Sequence, residues 1–122
     1  MKNWIAIGSL TGALAVVCGA FGAHALRDRV TPADLAIWQT GVLYHLVGGV
    51  ALVLYGLFAR DRTTKGPAGW SFLLGTAIFS GSLYAMVLGG PRWLGAITPI
   101  GGVLLIGGWL FFAWEARRRR PA

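Results

Sequence analysis

The segment AIWQTGVLYHLVGGVALVLYGLFA, residues 36–59, contains no lysine, arginine, aspartate or glutamate. A helix that crosses a bilayer needs about 20 consecutive, mostly apolar residues. The length and composition of this segment therefore predict a transmembrane helix.

Similar segments lie on both sides of it, at residues 4–26, 70–89 and 94–114, and none of them contains a lysine, arginine, aspartate or glutamate. The connections between them are short, which favours antiparallel neighbours. We predict an all-α fold: a single membrane domain, residues 1–122, with four antiparallel transmembrane helices in a tight bundle that leaves little room for a wide pore. A basic tail at residues 115–122 follows the last span.

The composition agrees with lipid as the solvent. The chain is 56% hydrophobic and 12% charged, whereas soluble domains are about 25% charged. The net charge of +7 comes from 11 basic and 4 acidic residues, which lie between or beyond the apolar segments. This distribution favours charges that orient a membrane protein over charges that bind nucleic acid.

Basic residues near the span ends predict that both termini are cytoplasmic. With this orientation the cytoplasmic side holds eight basic residues: Lys2, Arg60, Arg62, Lys65, Arg117, Arg118, Arg119 and Arg120. The outer side holds three: Arg27, Arg29 and Arg92. An alternative is a signal peptide cleaved at Ala23-His24-Ala25, but the first apolar segment is longer than the usual h-region of about 7–15 residues.

Small residues recur along two of the predicted helices. In the first span Gly8, Gly12, Ala15, Gly19 and Gly22 are spaced by 4, 3, 4 and 3 residues. The third span has a similar series: Ser71, Gly75, Ile78, Ser82, Ala85 and Gly89. Such seams let helices approach closely in lipid, within one chain or in a homo-oligomer. Leucine at Gly12 or Gly19 is then expected to disrupt packing.

The fourth span contains a proline, Pro99, which cannot donate a hydrogen bond to the carbonyl of Gly95. A kink in this helix is expected there.

Polar side chains concentrate in the predicted outer half of the membrane, where all four spans contribute. The candidate ligand-binding residues are His24, Gln39, Tyr44, His45, Ser80, Ser82, Tyr84 and Thr98. Polar groups inside spans are costly and therefore informative. One interpretation is a structural hydrogen-bond network in which His45 pairs with Tyr84 or Thr98. Another is a site for a lipid or small molecule, and a third is haem or metal binding by His24 and His45.

The sequence does not indicate an enzyme. No span contains a carboxylate for acid–base chemistry, and Cys18 has no base near it in sequence. Asp28, Asp34, Asp61 and Glu115 lie beside arginines in loops or the tail, and we expect them to be solvated. We predict no catalytic residue, no metal and no cofactor. A small oligomeric transporter or channel is an alternative to a binding protein.

The expected partners are the bilayer, a second copy or a larger membrane complex, and not nucleic acid. The arginines of the tail, which are Arg117, Arg118, Arg119 and Arg120, are expected to contact anionic lipid.

The spans also resemble a known family. GAFGAHAL at residues 19–26, TGV at 40–42 with Tyr44-His45, FSGSLY at 79–84 and LGAITPIGG at 94–102 with Gly108-Trp109 resemble segments of the family called domain of unknown function 423. Animal relatives are called transmembrane protein 256. The resemblance implies a four-span protein of the bacterial inner membrane. That family has no established activity, so the resemblance supports a shared outer-half site without naming its ligand.

Overall fold

The structure is a computed structural model that describes residues 3–118, and every regular element within them is helical. Helix α1 (Trp4–Phe21) continues into a π-helical turn, Gly22–Leu26. Helices α2 (Pro32–Ala59) and α3 (Pro67–Val87) follow, and a short 3₁₀ helix (Arg92–Ala96) precedes α4 (Thr98–Arg118). Four helical segments are long and apolar enough to cross a membrane, which confirms the all-α membrane fold.

The two ends of the bundle are named from the predicted orientation, which remains a prediction. The inner end contains the start of α1 and the end of α4. The outer end contains the start of α2 and the 3₁₀ helix. Lys2, Arg119 and Arg120, which entered the charge count, lie outside the described residues.

Local signals set the helix boundaries on the two long connections. Thr31 caps α2, because its hydroxyl accepts from the Asp34 amide at 3.1 Å and Pro32 occupies the first helical position. Before α3, Gly66 has a φ of 71°, which glycine tolerates best, and Pro67 starts the helix.

The fourth span differs from its prediction. The chain forms a 3₁₀ helix over Arg92–Ala96, and α4 begins at Thr98. Pro99 therefore lies in the first turn of a helix and not in the middle of one. Its missing amide hydrogen costs nothing in that turn, so the predicted kink is replaced by a helix start.

The helices pack mainly as consecutive pairs: α1 with α2, α2 with α3 and α3 with α4. Helices α2 and α3 form the centre, since about half of each span is buried there, whereas α1 and α4 are mostly exposed on the flanks. The bundle is less closed than the tight arrangement we expected. One groove of about 480 Å³ separates α1 from α3, and another of about 280 Å³ separates α2 from α4.

Glycines permit the two closest helix crossings. A Cβ atom on Gly8 would lie 2.7 Å from the backbone nitrogen of Val53, and one on Gly49 would lie 2.8 Å from the nitrogen of Gly12. At the α3–α4 crossing, a Cβ on Gly75 would lie 2.8 Å from the nitrogen of Leu105. These contacts confirm backbone-to-backbone packing along the small-residue seams.

The expected effect of leucine at Gly12 was wrong. A Cβ atom added there meets nothing within 4 Å, although the backbone of Gly12 touches Gly49. Gly19 is intermediate, because its Cβ would lie 3.3 Å from Cγ1 of Val42. Sequence spacing identified the face of α1 but not the direction in which each added side chain would point.

Candidate functional site

Helices α2 and α3 are joined by a hydrogen bond between two of the predicted site residues. Nδ1 of His45 lies 3.0 Å from the hydroxyl of Tyr84, and His45 is buried. The face of α2 that carries His45 also carries the buried Gly41 and Gly48, which bring α3 close. The predicted pairing of His45 with Tyr84 is thus present in the structure.

The indole ring of Trp38, on α2, packs against Tyr84 of this pair. The ring centroid of Trp38 lies 4.4 Å from that of Tyr84, and its Nε1 donates to the carbonyl of Cys18 at 2.8 Å. The ring fits because Gly22 has no side chain: a Cβ there would lie 2.6 Å from Cδ1 of Trp38. Gly22 begins the π-helical turn, and such turns often occur near functional sites.

Two serines of α3 make further contacts between helices. Ser80 donates to the carbonyl of Gly41 at 2.7 Å, which joins α3 to α2. The hydroxyl of Ser82 lies 2.5 Å from that of Thr98, which joins α3 to the start of α4. Both serines are buried, so these bonds satisfy polar groups that lipid cannot satisfy.

The remaining candidates do not join this set. His24, Gln39 and Tyr44 are exposed, and Tyr44 packs its ring against Phe79 at 4.9 Å between centroids. Of the eight predicted site residues, the structure therefore brings five into the helix interfaces and leaves three on the surface. Within residues 3–118 there is no group of three or more histidine, cysteine or acidic residues that could hold a metal ion.

The His45–Tyr84 pair forms part of the wall of the groove between α1 and α3. Its α1 wall contains Ile7, Leu10, Thr11, Leu14 and Cys18, and α2 and α3 contribute His45, Leu73, Thr76, Ala77, Ser80, Gly81 and Tyr84. From Leu73 to Tyr84 the groove follows α3 for about 16 Å, at 1.5 Å per residue. Its volume of about 480 Å³ is within the usual range of small-molecule sites.

Polarity changes along this groove. Leu73 and Ile7 are at its inner end, and His45, Tyr84 and Cys18 are at its outer end. Between them Thr76 has a buried hydroxyl with no hydrogen-bond partner among the described residues. That hydroxyl packs against Gly48, where a Cβ would overlap it. An unpaired buried hydroxyl is unusual, since it costs about 1–3 kcal/mol.

A second polar cluster lies at the inner end, where the sequence analysis did not place one. The hydroxyl of Tyr55 donates to the carboxylate of Glu115, at 2.8 Å from Oε1 and 2.9 Å from Oε2. Thr64 donates to Oε2 at 3.0 Å and accepts from the Gly66 amide at 3.1 Å. This inner triad of Tyr55, Thr64 and Glu115 connects α2, α4 and the loop between α2 and α3.

Our expectation that Glu115 is solvated was therefore wrong, because only 3% of it is exposed. Helix α4 continues to Arg118, so Glu115 is still helical. The buried residues of α4 are Gly101, Gly108 and Glu115, which are spaced by seven residues and so share one face. That spacing was a signal available in the sequence.

Comparisons with known proteins agree on the family. The sequence model described as "Protein of unknown function (DUF423)" matches residues 18–102. A UPF0382 membrane protein of Staphylococcus epidermidis is 44% identical over 111 residues, which are 90% of this chain and 91% of that protein. The UPF0382 membrane protein YwdK of Bacillus subtilis is 40% identical over 95% of this chain and 97% of its own length. No solved structure matches.

The chain belongs to the DUF423 family of membrane proteins, whose function is uncharacterised. The resemblance found in the sequence motifs is thereby confirmed. All eight predicted site residues lie within the matched region, residues 18–102.

Proposed function

We propose that this chain is a non-enzymatic protein of the bacterial inner membrane that binds a membrane amphiphile in the groove between α1 and α3. The occupant has a hydrocarbon chain and a small polar head, and its head meets the His45–Tyr84 pair. The observation that carries the proposal is this hydrogen-bonded pair in the wall of a groove that is otherwise mostly apolar.

The polarity of the groove supports an amphiphile over a wholly apolar or a wholly polar ligand. Leucine and isoleucine side chains line the inner part, where a hydrocarbon chain would lie. Histidine, tyrosine and cysteine side chains line the outer part, where a polar head would lie. The groove separates two helices that lack the close packing of consecutive pairs, so a membrane molecule could enter it from the side.

The pair offers hydrogen bonds to a ligand. Nδ1 of His45 is occupied by Tyr84, and Nε2 has no partner among the described residues. A neutral imidazole has one donor and one acceptor nitrogen, and a tyrosine hydroxyl can do both. Depending on the tautomer, the pair can therefore give or accept a hydrogen bond from a hydroxyl, carbonyl or amide of the head.

The groove favours binding over catalysis. No carboxylate in the part of the chain that the structure describes lines it. Two of the described carboxylates are engaged elsewhere: Glu115 with Tyr55, and Asp34 with Arg92 at 3.1 Å. Acid–base chemistry at the pair would depend on His45 without a second charged group to tune it. Hydrogen-bonding and apolar contacts, by contrast, are what an amphiphile needs.

Blocking the groove tests the proposal. Gly81 lines it, and a Cβ atom there meets nothing within 4 Å, so Gly81→Leu adds an apolar side chain to the groove wall at an open position. Gly12→Leu is the matched control, because a Cβ atom there is equally free and Gly12 is not among the lining residues. Native mass spectrometry of each protein, extracted gently from its own membrane, measures the retained non-protein mass.

We expect the unchanged protein and Gly12→Leu to retain a stoichiometric amphiphile and Gly81→Leu to lose it. Equal retention by both variants would contradict the proposal. The proposal would also be contradicted if the unchanged protein retained a second protein chain and no amphiphile, because the groove would then be a subunit interface.

A further inference from the structure

We infer that a second site, at the inner end of the molecule, binds the phosphate group of an anionic phospholipid. It is separate from the α1–α3 groove and does not depend on the function proposed for it. The site is the cavity between the start of α1 and the end of α2, and we call it the inner cavity.

The inner cavity has a volume of about 390 Å³. Asn3, Trp4 and Ile5 line it from α1, Gly56 and Ala59 from α2, and Arg60, Arg62, Thr64 and Lys65 from the loop that follows. Helices α1 and α2 approach closely at Gly56, because this residue has no side chain: a Cβ there would lie 2.7 Å from the backbone nitrogen of Ile5. Apart from Asn3, which caps α1, the wall is thus apolar on the side of the helices and polar on the side of the loop.

The charge of the lining residues is strongly positive. Arg60, Arg62 and Lys65 line the cavity, and no acidic residue among residues 3–118 does. Asp61 is their neighbour in sequence and is exposed. The carboxylate of Glu115 is buried against Tyr55 and Thr64. An anion in the cavity would therefore lie against three cationic side chains.

One of these cations is held in place by the fold. Nη1 of Arg62 donates to the carbonyl of Phe58 at 2.6 Å, and its guanidinium lies 4.2 Å from the centroid of the Phe58 ring. Thr64 is fixed by Glu115, to which it donates a hydrogen bond. Guanidinium groups bind phosphate oxygens strongly, and lysine adds a mobile charge. This loop therefore presents a partly ordered set of phosphate ligands.

The position of the cavity favours a lipid over a dissolved phosphate. Trp4 and Ile5 begin a span, and Gly56 and Ala59 end one, so the cations lie where the apolar segments stop. Phospholipid phosphates lie at this depth, and basic residues near the membrane surface are attracted to anionic lipid headgroups. A headgroup phosphate would contact the cations while its chains extend along the apolar wall.

The test uses the full chain in nanodiscs of phosphatidylcholine, with and without phosphatidylglycerol, and measures the midpoint of thermal unfolding and the lipid that stays bound. The double variant Arg60→Gln with Lys65→Gln removes two charges from the cavity and leaves Arg62 in place. Arg27→Gln with Arg29→Gln is the control, since it removes the same charge at exposed positions of the outer end, outside this cavity.

We expect phosphatidylglycerol to raise the midpoint of the unchanged protein and of the control. The cavity variant should lose that rise and bind phosphatidylglycerol about tenfold more weakly, as expected for the loss of one or two charged hydrogen bonds. Its midpoint in pure phosphatidylcholine should equal that of the unchanged protein, which shows that it folds.

Equal losses in the cavity variant and the control would overturn the inference, because the attraction would then be a general effect of charge. A third arm adds inorganic phosphate to phosphatidylcholine nanodiscs. Stabilisation by inorganic phosphate alone, as large as that by phosphatidylglycerol, would overturn the lipid assignment and make the cavity a site for a soluble phosphate compound.

Discussion

The outer and inner ends of this molecule use polar residues in opposite ways. The eight predicted site residues lie at the outer end and include no acidic residue, lysine or arginine; three of them are exposed, and the His45–Tyr84 pair borders a groove. The inner end buries a carboxylate, Glu115, between two hydroxyl donors. The comparison teaches that a dense polar cluster in a sequence does not identify the part of the fold that depends most on polar contacts. We assign stability to the inner triad and binding to the outer pair.

The largest expected effect is at Glu115. Glu115→Ala leaves the buried hydroxyls of Tyr55 and Thr64 without their acceptor, and we expect a loss of about 3 kcal/mol in the free energy of unfolding. Glu115→Gln keeps an acceptor oxygen, so its loss should be smaller, about 1 kcal/mol. Unfolding of both variants in the same detergent measures this. If both variants lost less unfolding free energy than a variant substituted at an exposed position, the triad would have no structural role.

The next effect compares the same substitution at the two ends. Tyr55→Phe removes the donor to both oxygens of a buried carboxylate, and we expect a loss of about 2 kcal/mol in unfolding free energy. Tyr84→Phe removes one neutral hydrogen bond to His45, for about 1 kcal/mol. Chemical denaturation of the two variants side by side checks the order. If Tyr84→Phe proved the more costly, the assignment of stability to the inner end would fail.

A smaller effect concerns the indole that supports the outer pair. Gly22→Ala places a Cβ where it would lie 2.6 Å from Cδ1 of Trp38, so the ring must shift and weaken its bond to the Cys18 carbonyl. We expect a loss of about 1 kcal/mol from overpacking, together with a change in tryptophan fluorescence. Gly12→Ala, which meets no atom, is the control and should change neither.

The smallest effect is at the rim of the outer end. Arg92 pairs with Asp34 at 3.1 Å, but 64% of the arginine side chain is exposed. Such pairs contribute little and are screened by salt, so Arg92→Gln should cost less than about 0.5 kcal/mol. Unfolding at low and high salt measures it. A cost that approaches that of Glu115→Gln would show that the outer end depends on charge after all.

Much of the fold could be predicted from the sequence. Four uncharged segments of spanning length predicted the four membrane helices, because length and composition are properties of the sequence alone. Pro99 was misread, since a proline within an apolar segment can either kink a helix or begin one. Only the observed 3₁₀ helix before it distinguishes the two.

The site was predicted less completely, because burial depends on which way each side chain points. Residue type and membrane depth identified His45, Tyr84, Ser82 and Thr98 as candidates, and pairing of His45 with Tyr84 was one of two alternatives. The Ser82–Thr98 pair was not predicted. The same criteria also selected Gln39 and Tyr44, which lie on the exposed side of α2. Glu115 was missed because its arginine neighbours suggested solvent, whereas its seven-residue spacing from Gly108 places it on the packed face.

One paired measurement tests the central claim most directly: retained amphiphile and unfolding free energy, determined together for Tyr84→Phe and Tyr55→Phe. The account predicts that Tyr84→Phe loses most of the bound amphiphile at a cost of about 1 kcal/mol in stability. It predicts that Tyr55→Phe keeps the amphiphile and loses about twice as much stability. The account would be contradicted if Tyr84→Phe retained its amphiphile fully, or if both variants lost stability and amphiphile in the same proportion.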